Sequence, residues 1–319
     1  MSNPSRCRDW LLFTGLLALV VFTGCGQGDT PEAMDGKLRI VTTTGQVAEV
    51  ARHVGGDRVS VTALMGPGID PHLYKASAGD VERLRQADLI LFNGLHLESK
   101  MGDVIGQLGA RQPTLAIAGA LPEAQLISPS NFPDSHDPHV WFDVALWSLT
   151  VAPVAEKLAQ LDPEHADAYR QRADAYRAEL AELHAYALAQ FATIPANQRV
   201  LITAHDAFSY LGRAYGLEVR GLQGISTATE AGTADVKGLA EFIAARRIPA
   251  LFVETSVSPR AIEAVRQAVK SRGFDVVLGG EVYSDALGDA GTPVGTYTGM
   301  VRHNVDTITA ALKGESRHE

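Results

Sequence analysis

Short apolar, β-branched runs alternate with helical stretches in two separate blocks, and this alternation constrains the chain more than any other feature. In the first block Leu38–Thr43, Val59–Leu64, Leu89–Phe92 and Thr114–Ile117 read as strands. Helical patterns over Val47–Val54, Ser77–Ala87 and Leu97–Leu108 separate them. Strands joined through helices pair in parallel, and a parallel sheet must be covered on both faces. The second block repeats the scheme, with strands at Val200–Thr203, Leu217–Arg220, Ala250–Val253 and Asp275–Leu278. Its helices fall at Asp206–Tyr215, Ala234–Arg246, Pro259–Arg272 and Val294–Leu312. Between the blocks, Trp141–Phe191 carries no strand signal. Within Glu164–Phe191, Tyr169, Tyr176, Leu180, Leu183 and Ala187 recur at helical spacing, which predicts one helix of roughly 40 Å. Asp162-Pro163 reads as its N-cap followed by proline at the first helical position. The expected fold is α/β: two Rossmann-like lobes with parallel sheets, joined by a long backbone helix. The expected divisions are an N-terminal lobe over 37–145, a helical segment over 146–195 and a C-terminal lobe over 196–319.

The first 36 residues follow different rules. Arg6 and Arg8 precede an uncharged run from Trp10 to Phe22, too short for the ~20 apolar residues of a spanning helix but suited to a secretory signal. Residues 1–24 are read as a signal peptide and 25–36 as a polar tether. Of the two cysteines, Cys7 lies inside the segment to be removed, so the exported chain would begin with Cys25 and could form no internal disulfide. Val21-Phe22-Thr23-Gly24-Cys25 resembles a bacterial lipobox, with Phe22 where the pattern usually has Leu. The resemblance implies lipidation at Cys25, with ordinary cleavage as the alternative. Either way the expected location is the periplasm or cell surface, with attachment to a membrane through the lipid. A net charge of −9 argues against a nucleic-acid-binding face, which needs clustered Lys and Arg.

Four short segments follow predicted strands and hold the residues that could carry chemistry: Gly68-Ile69-Asp70-Pro71-His72, Asp137-Pro138-His139-Val140-Trp141, Thr203-Ala204-His205-Asp206 and Tyr283-Ser284-Asp285. In doubly wound sheets ligands gather outside the carboxyl ends of strands. Three imidazoles and a carboxylate would make a four-coordinate N/O site for a first-row divalent ion. A single histidine after a strand is more often a hydrogen-bonded polar side chain than a ligand, and the histidines at 136 and 139 could form a loop cluster that binds nothing. His53, His165, His184, His303 and His318 read as solvated. His96 reads as a surface or helix-start residue, with a supporting role behind a ligand as the alternative.

The order of the segments supplies what single residues do not. Asp70-Pro71-His72-Leu73-Tyr74 with Ser77 and Asp80 comes first, then Asn93-Gly94-Leu95 with Leu97-Glu98, and then Asp137-Pro138-His139-Val140-Trp141. Thr203-Ala204-His205-Asp206-Ala207-Phe208, Phe252-Val253-Glu254-Thr255-Ser256 and Tyr283-Ser284-Asp285-Ala286-Leu287-Gly288 follow. From about residue 38 to 313 the chain resembles the TroA-like zinc- and manganese-binding solute receptors of bacterial ABC importers. The resemblance implies His72, His139, His205 and Asp285 as metal ligands, a monomeric receptor without catalytic activity, and delivery of the metal to an ABC transporter permease. Zinc (Zn2+) is expected first and manganese (Mn2+) next, because some relatives carry Glu where this chain has His205 and those are associated with manganese. The long His/Asp-rich loop of many zinc-dedicated members is absent here. Glu254, Asp143 and Asp206 are candidates to orient the ligating imidazoles, each with helix capping or plain solvation as the alternative. A zinc-dependent hydrolase and a surface adhesin are the rival classes. Four protein ligands would leave no open position for catalytic water, and neither His-Glu-x-x-His nor Gly-x-Ser-x-Gly occurs.

Overall fold

The computed structural model describes residues 36–129 and 135–315. The expected signal peptide, Cys25, the expected tether before Gly36 and His318 lie outside the described residues. The first block forms β1 (Leu38–Thr42), α1 (Gly45–Gly55), β2 (Val59–Ala63), α2 (Ala78–Gln86), β3 (Leu89–Phe92), α3 (Gly102–Gly109) and β4 (Thr114–Ala116). The strands make one parallel sheet in the order β2-β1-β3-β4. Its central strands are apolar because both faces are covered; Ile40, Leu89, Ile90 and Leu91 are fully buried.

Helix α3 starts later than the pattern from Leu97 suggests. Gly94, Leu95 and His96 all take positive φ (87°, 52° and 66°), and a three-residue 3-10 turn, Ser99–Met101, precedes the helix. Glu98 holds this turn. It is buried and accepts from the backbone N–H groups of Asn93 and Gly94 at 2.8 and 3.1 Å and from the Thr43 hydroxyl at 2.7 Å. Glycine is the residue that enters such a left-handed stretch without strain. A Cβ on Gly94 would also meet the Ala116 side chain at 3.0 Å.

The middle contains α4 (Val144–Trp147), α5 (Val151–Leu161) and the 27-residue α6 (Ala166–Ala192). Pro153 sits in the first turn of α5, where its missing N–H costs no helical bond. As read from the sequence, Asp162 holds the N-cap position and Pro163 the first position of the 3-10 turn before α6, but the Asp162 side chain makes no capping bond to the backbone. Its carboxylate instead accepts from the Tyr169 hydroxyl at 2.7 Å and pairs with His165 and Arg58. Helix α6 buries Tyr169, Ala173, Tyr176, Leu180, Leu183, Ala187 and Phe191. Each fully buried leucine of that stripe stabilises by roughly 1.5–3 kcal/mol. His53, read as solvated, stacks on Tyr176 with ring centroids 3.9 Å apart.

The second block gives β5 (Val200–His205), α7 (Ser209–Tyr215), β6 (Glu218–Gln223), α8 (Thr233–Arg246), β7 (Ala250–Glu254), α9 (Arg260–Lys270), β8 (Val277–Val282) and α10 (Tyr297–Leu312). All pairing is parallel, but the strands form two ribbons, β5-β6 and β7-β8, rather than one sheet. A register shift between Leu251 and Val253 disturbs the second ribbon. The ribbons are tied where β5 and β7 end, through the His205 N–H and the Glu254 carboxylate at 2.9 Å. One apolar core runs from Val47 and Val50 of α1 through the α6 stripe to Phe208 and Ile308, so both lobes pack on the same helix.

Candidate metal centre

Every strand of interest ends toward one place. His72 lies in the loop after β2, His139 beyond β4 at the start of a 3-10 turn (Val140–Phe142), His205 is the last residue of β5, and Asp285 follows β8. One potential ligand atom from each of these four residues lies within 4.8 Å of all the others. The Nε2 atoms of His72 and His139 are 3.2 Å apart. Asp285 sends Oδ1 to within 3.4 Å of His139 Nε2 and Oδ2 to within 3.3 Å of His205 Nε2. None of the four residues exceeds 2% exposure.

Buried polar atoms in folded proteins nearly always find partners. Here His205 Nε2 and both Asp285 oxygens have no protein hydrogen-bond partner, although Asp285 Oδ2 lies 3.3 Å from His205 Nε2. Two imidazole nitrogens facing each other at 3.2 Å cannot both act as acceptors. A divalent cation at their common centre satisfies the whole set, and the donor chemistry fits zinc and its neighbours.

The loops that carry these side chains are locked to one another. Asp70-Pro71-His72 and Asp137-Pro138-His139 use the same local device: the aspartate Oδ1 accepts the histidine backbone N–H two residues on, at 2.8 and 2.9 Å. Asn93 Nδ2 donates to the Pro138 carbonyl at 3.0 Å, and the Tyr210 hydroxyl donates to the Asp137 carbonyl at 3.0 Å. Trp141 packs edge-on against the His139 ring and donates its Nε1–H to the Ser284 carbonyl at 3.1 Å. It therefore joins the second potential ligand to the fourth, a role beyond packing.

Of the three acids singled out to orient imidazoles, the structure brings one to a ring. Glu254 Oε2 lies 2.6 Å from His205 Nδ1. Asp143 instead caps α4 by accepting from Leu146 N at 3.1 Å and pairs with Arg213. Asp206 accepts from the Ser209 hydroxyl at 2.7 Å at the start of α7. The partner of the His139 ring is Asp137, at 2.7 Å from Nδ1, which sequence reasoning passed over. The Asp-Pro-His triplet gives no signal for it, since Asp70 in the same triplet takes only the backbone N–H of His72. His96 and His136 do not join the cluster; both line a neighbouring cavity, with His136 Nδ1 3.0 Å from Ser128 Oγ.

The electrostatics follow from burial and these partners. Burial alone would lower the His139 pKa, but the charge and hydrogen bond of Asp137, and then the nearby Asp285 carboxylate, raise it to about 9. His205 is likewise disfavoured as a cation by burial, yet Glu254 and Asp285 raise it well above its ordinary value. Asp285 is pushed up by burial and pulled, on balance, well below its ordinary value by His205 and His139. His72 has no carboxylate behind its ring, and burial drives it down to about 3. Without metal, then, the neighbouring carboxylates favour the protonated form of both His139 and His205.

Residues 40–311 match the family described as "Zinc-uptake complex component A periplasmic". The chain is 50% identical over 299 residues to the zinc-binding protein TroA of Treponema pallidum, covering 93% of this chain and 96% of that one. The solved structure of that periplasmic zinc-binding protein superposes with a TM-score of 0.85, covering 87% of this chain and 99% of the other. The manganese-binding lipoprotein MntA of Bacillus subtilis is 46% identical over 306 residues, 96% of this chain and 100% of its own length. A more distant relative, 28% identical with 95% of each chain covered, is the manganese ABC transporter substrate-binding lipoprotein PsaA of Streptococcus pneumoniae. With that coverage, on a fold of two parallel α/β lobes and one long helix, the chain belongs to the ZnuA/TroA family of metal-binding components of ABC importers, a family of transport proteins and not of enzymes.

Proposed function

We propose that this protein is an extracytoplasmic receptor that binds one divalent transition metal through His72, His139, His205 and Asp285 and hands it to the permease of an ABC importer. The observation that carries the reading is the buried convergence of three imidazoles and a carboxylate within 4.8 Å, several of whose atoms have no other partner. The incoming ion sheds its water into bulk solvent and displaces the protons held at His139 and His205. Asp137 and Glu254 then stay behind the rings as acceptors, fixing which nitrogen faces the metal. All donors come from the protein, which favours holding an ion over activating water.

Zinc is the preferred metal and manganese the second, because three nitrogen donors suit the later first-row ions. The relatives alone do not choose, since one at 50% identity is named for zinc and one at 46% for manganese. The protein acts as a monomer, exported by residues 1–24 and held at a membrane by a lipid on Cys25. Support for the anchor is the lipobox-like sequence and the lipoprotein names of its relatives. No helix among the described residues is long and apolar enough to cross a membrane. Stripping the protein with a chelator and titrating with zinc and then manganese tests the reading. One zinc per chain, bound more tightly than manganese and raising the melting temperature, is expected; no metal-dependent stabilisation overturns it.

A further inference from the structure

The converging side chains are not held alike. The His139 ring has Asp137 behind it at 2.7 Å and the His205 ring has Glu254 at 2.6 Å. Among the described residues, the His72 ring is given no such carboxylate: Asp70, which occupies the matching position in its Asp-Pro-His triplet, takes only the backbone N–H of His72. The second oxygen of Asp70 is engaged elsewhere, accepting the Thr227 hydroxyl at 2.5 Å. Thr227 belongs to the loop between β6 and α8, so this bond crosses from the second lobe to the loop bearing the His72 side chain.

The loop bearing His72 borders two cavities, and the Thr227–Asp70 pair lines one of them. One, of about 390 Å³, is lined by His72 together with Gly224, Ser226 and Thr229. The other, of about 600 Å³, is lined by Asp70, Leu73 and Thr227. His139, His205 and Asp285 line neither. Of the four converging residues only His72 faces either cavity, and the loop that carries it borders both.

We propose that the Thr227–Asp70 hydrogen bond is a latch on the release step: His72 is the last ligand to join the metal and the first to leave, and Thr227 is a positioning residue that sets how fast it leaves. The assignment rests on His72 being a metal ligand. Breaking the latch frees the His72 loop while His139 and His205 keep the carboxylates behind their rings, so the ion is held by fewer donors and departs sooner. Association, which ends with His72 swinging in, is less affected because the cavity is already open.

The test is zinc release from the loaded protein, mixed rapidly with excess chelator, for wild type, Thr227→Val and Thr227→Ser. Loss of one hydrogen bond to a charged group predicts release about tenfold faster in Thr227→Val, with the association rate within about twofold of wild type. Thr227→Ser keeps the hydroxyl and should release at close to the wild-type rate. Should Thr227→Val lose its native circular dichroism, Thr227→Ala takes its place with the same expectation. Wild-type release from the valine variant, still binding one zinc per chain at equilibrium, overturns the latch and leaves the metal-binding reading standing. Equally fast release from the valine and serine variants also overturns it, since packing rather than the hydroxyl would then be responsible. A wild-type protein that takes up no zinc in the same titration refutes the reading beneath.

Discussion

Replacing Asp137 with Asn removes the charge behind His139 while keeping the side chain's shape. In the structure Asp137 Oδ1 serves both the backbone N–H of His139 at 2.9 Å and its ring Nδ1 at 2.7 Å. An amide oxygen can still accept one of these bonds, so the loop should fold. What is lost is the basicity that the carboxylate lends to Nε2; loss of such a supporting group weakens metal binding by about 10–100-fold, or roughly 1.4–2.7 kcal/mol. The loss should depend on pH in a particular direction. In the wild type the His139 pKa is raised to about 9, so at pH 7 the metal must expel a proton that is held some two pH units above ambient. That expulsion costs on the order of 3 kcal/mol. The asparagine variant loses much of that cost along with the basicity, and the two effects oppose each other at pH 7. At pH 9 the proton is half gone from the wild type, and the loss of basicity stands nearly alone. Competition titrations against a chromophoric zinc chelator should therefore give a wild-type-to-variant affinity ratio that grows from pH 7 to pH 9. Asp143→Asn, which touches Leu146 and Arg213 instead, should bind within about twofold of wild type at both. A ratio near one for Asp137→Asn across this range, or equal losses in the two variants, would refute the argument.

Zinc binding at pH 7 should release close to two protons, one each from His139 and His205, readable as calorimetric enthalpies that vary with the buffer's ionisation enthalpy; a buffer-independent enthalpy counts against the assignment. The same raised values set the pH dependence of the metal-free protein. Because the folded pKa lies above the unfolded value near 6.5, the stability these groups contribute is complete below pH 6.5 and disappears as pH climbs toward 9. The melting temperature of stripped protein should fall over that window and the increment given by zinc should widen, whereas a flat apo profile would contradict the pairing. Gly221→Ala should destabilise by about 2–3 kcal/mol and weaken zinc binding, since a Cβ there would lie 2.4 Å from Asp206 N and 2.6 Å from the His205 carbonyl carbon; unchanged thermal melting would show that β6 can retreat.

Most of the architecture could be read from side-chain patterning because tertiary context agreed with local preference. Val200–His205 and Leu89–Phe92 are strands whose apolar runs leave them no stable place but a sheet covered on both sides. The stripe on α6 was visible for the same reason, as only a helix brings Tyr169, Tyr176, Leu180 and Leu183 to one face. The late start of α3 was not visible. It depends on Glu98 reaching back to two backbone N–H groups, and three successive positive φ angles have no signature beyond Gly94. Nor did patterning show that β5-β6 and β7-β8 would stay separate ribbons, since ladder pairing is decided by register and not by apolar content.

Position near strand ends singled out the four segments, and the resemblance to a known family, not position alone, picked His72, His139, His205 and Asp285 from them, while the acids behind them were half legible. Glu254, at the end of a strand, was identified. Asp143 and Asp206 were drawn in by nearness along the chain, yet both sit where helix N-termini claim their carboxylates. Asp137 reads as a turn residue before Pro138, and only the coordinates reveal that one oxygen serves backbone and ring together. That second use is what distinguishes it from Asp70 in an otherwise identical triplet.

His72, His139, His205 and Asp285 are contributed by four segments, each more than sixty residues from the next. An extended chain offers no two of them close enough to grip one ion, and closing loops of that length before folding costs entropy that a single coordination bond does not recover. Compact chelating motifs capture metal as peptides; this one is chemically blank until both halves have docked on their shared helix. A copy of the chain that has not yet folded therefore carries no preassembled site with which to hold an ion.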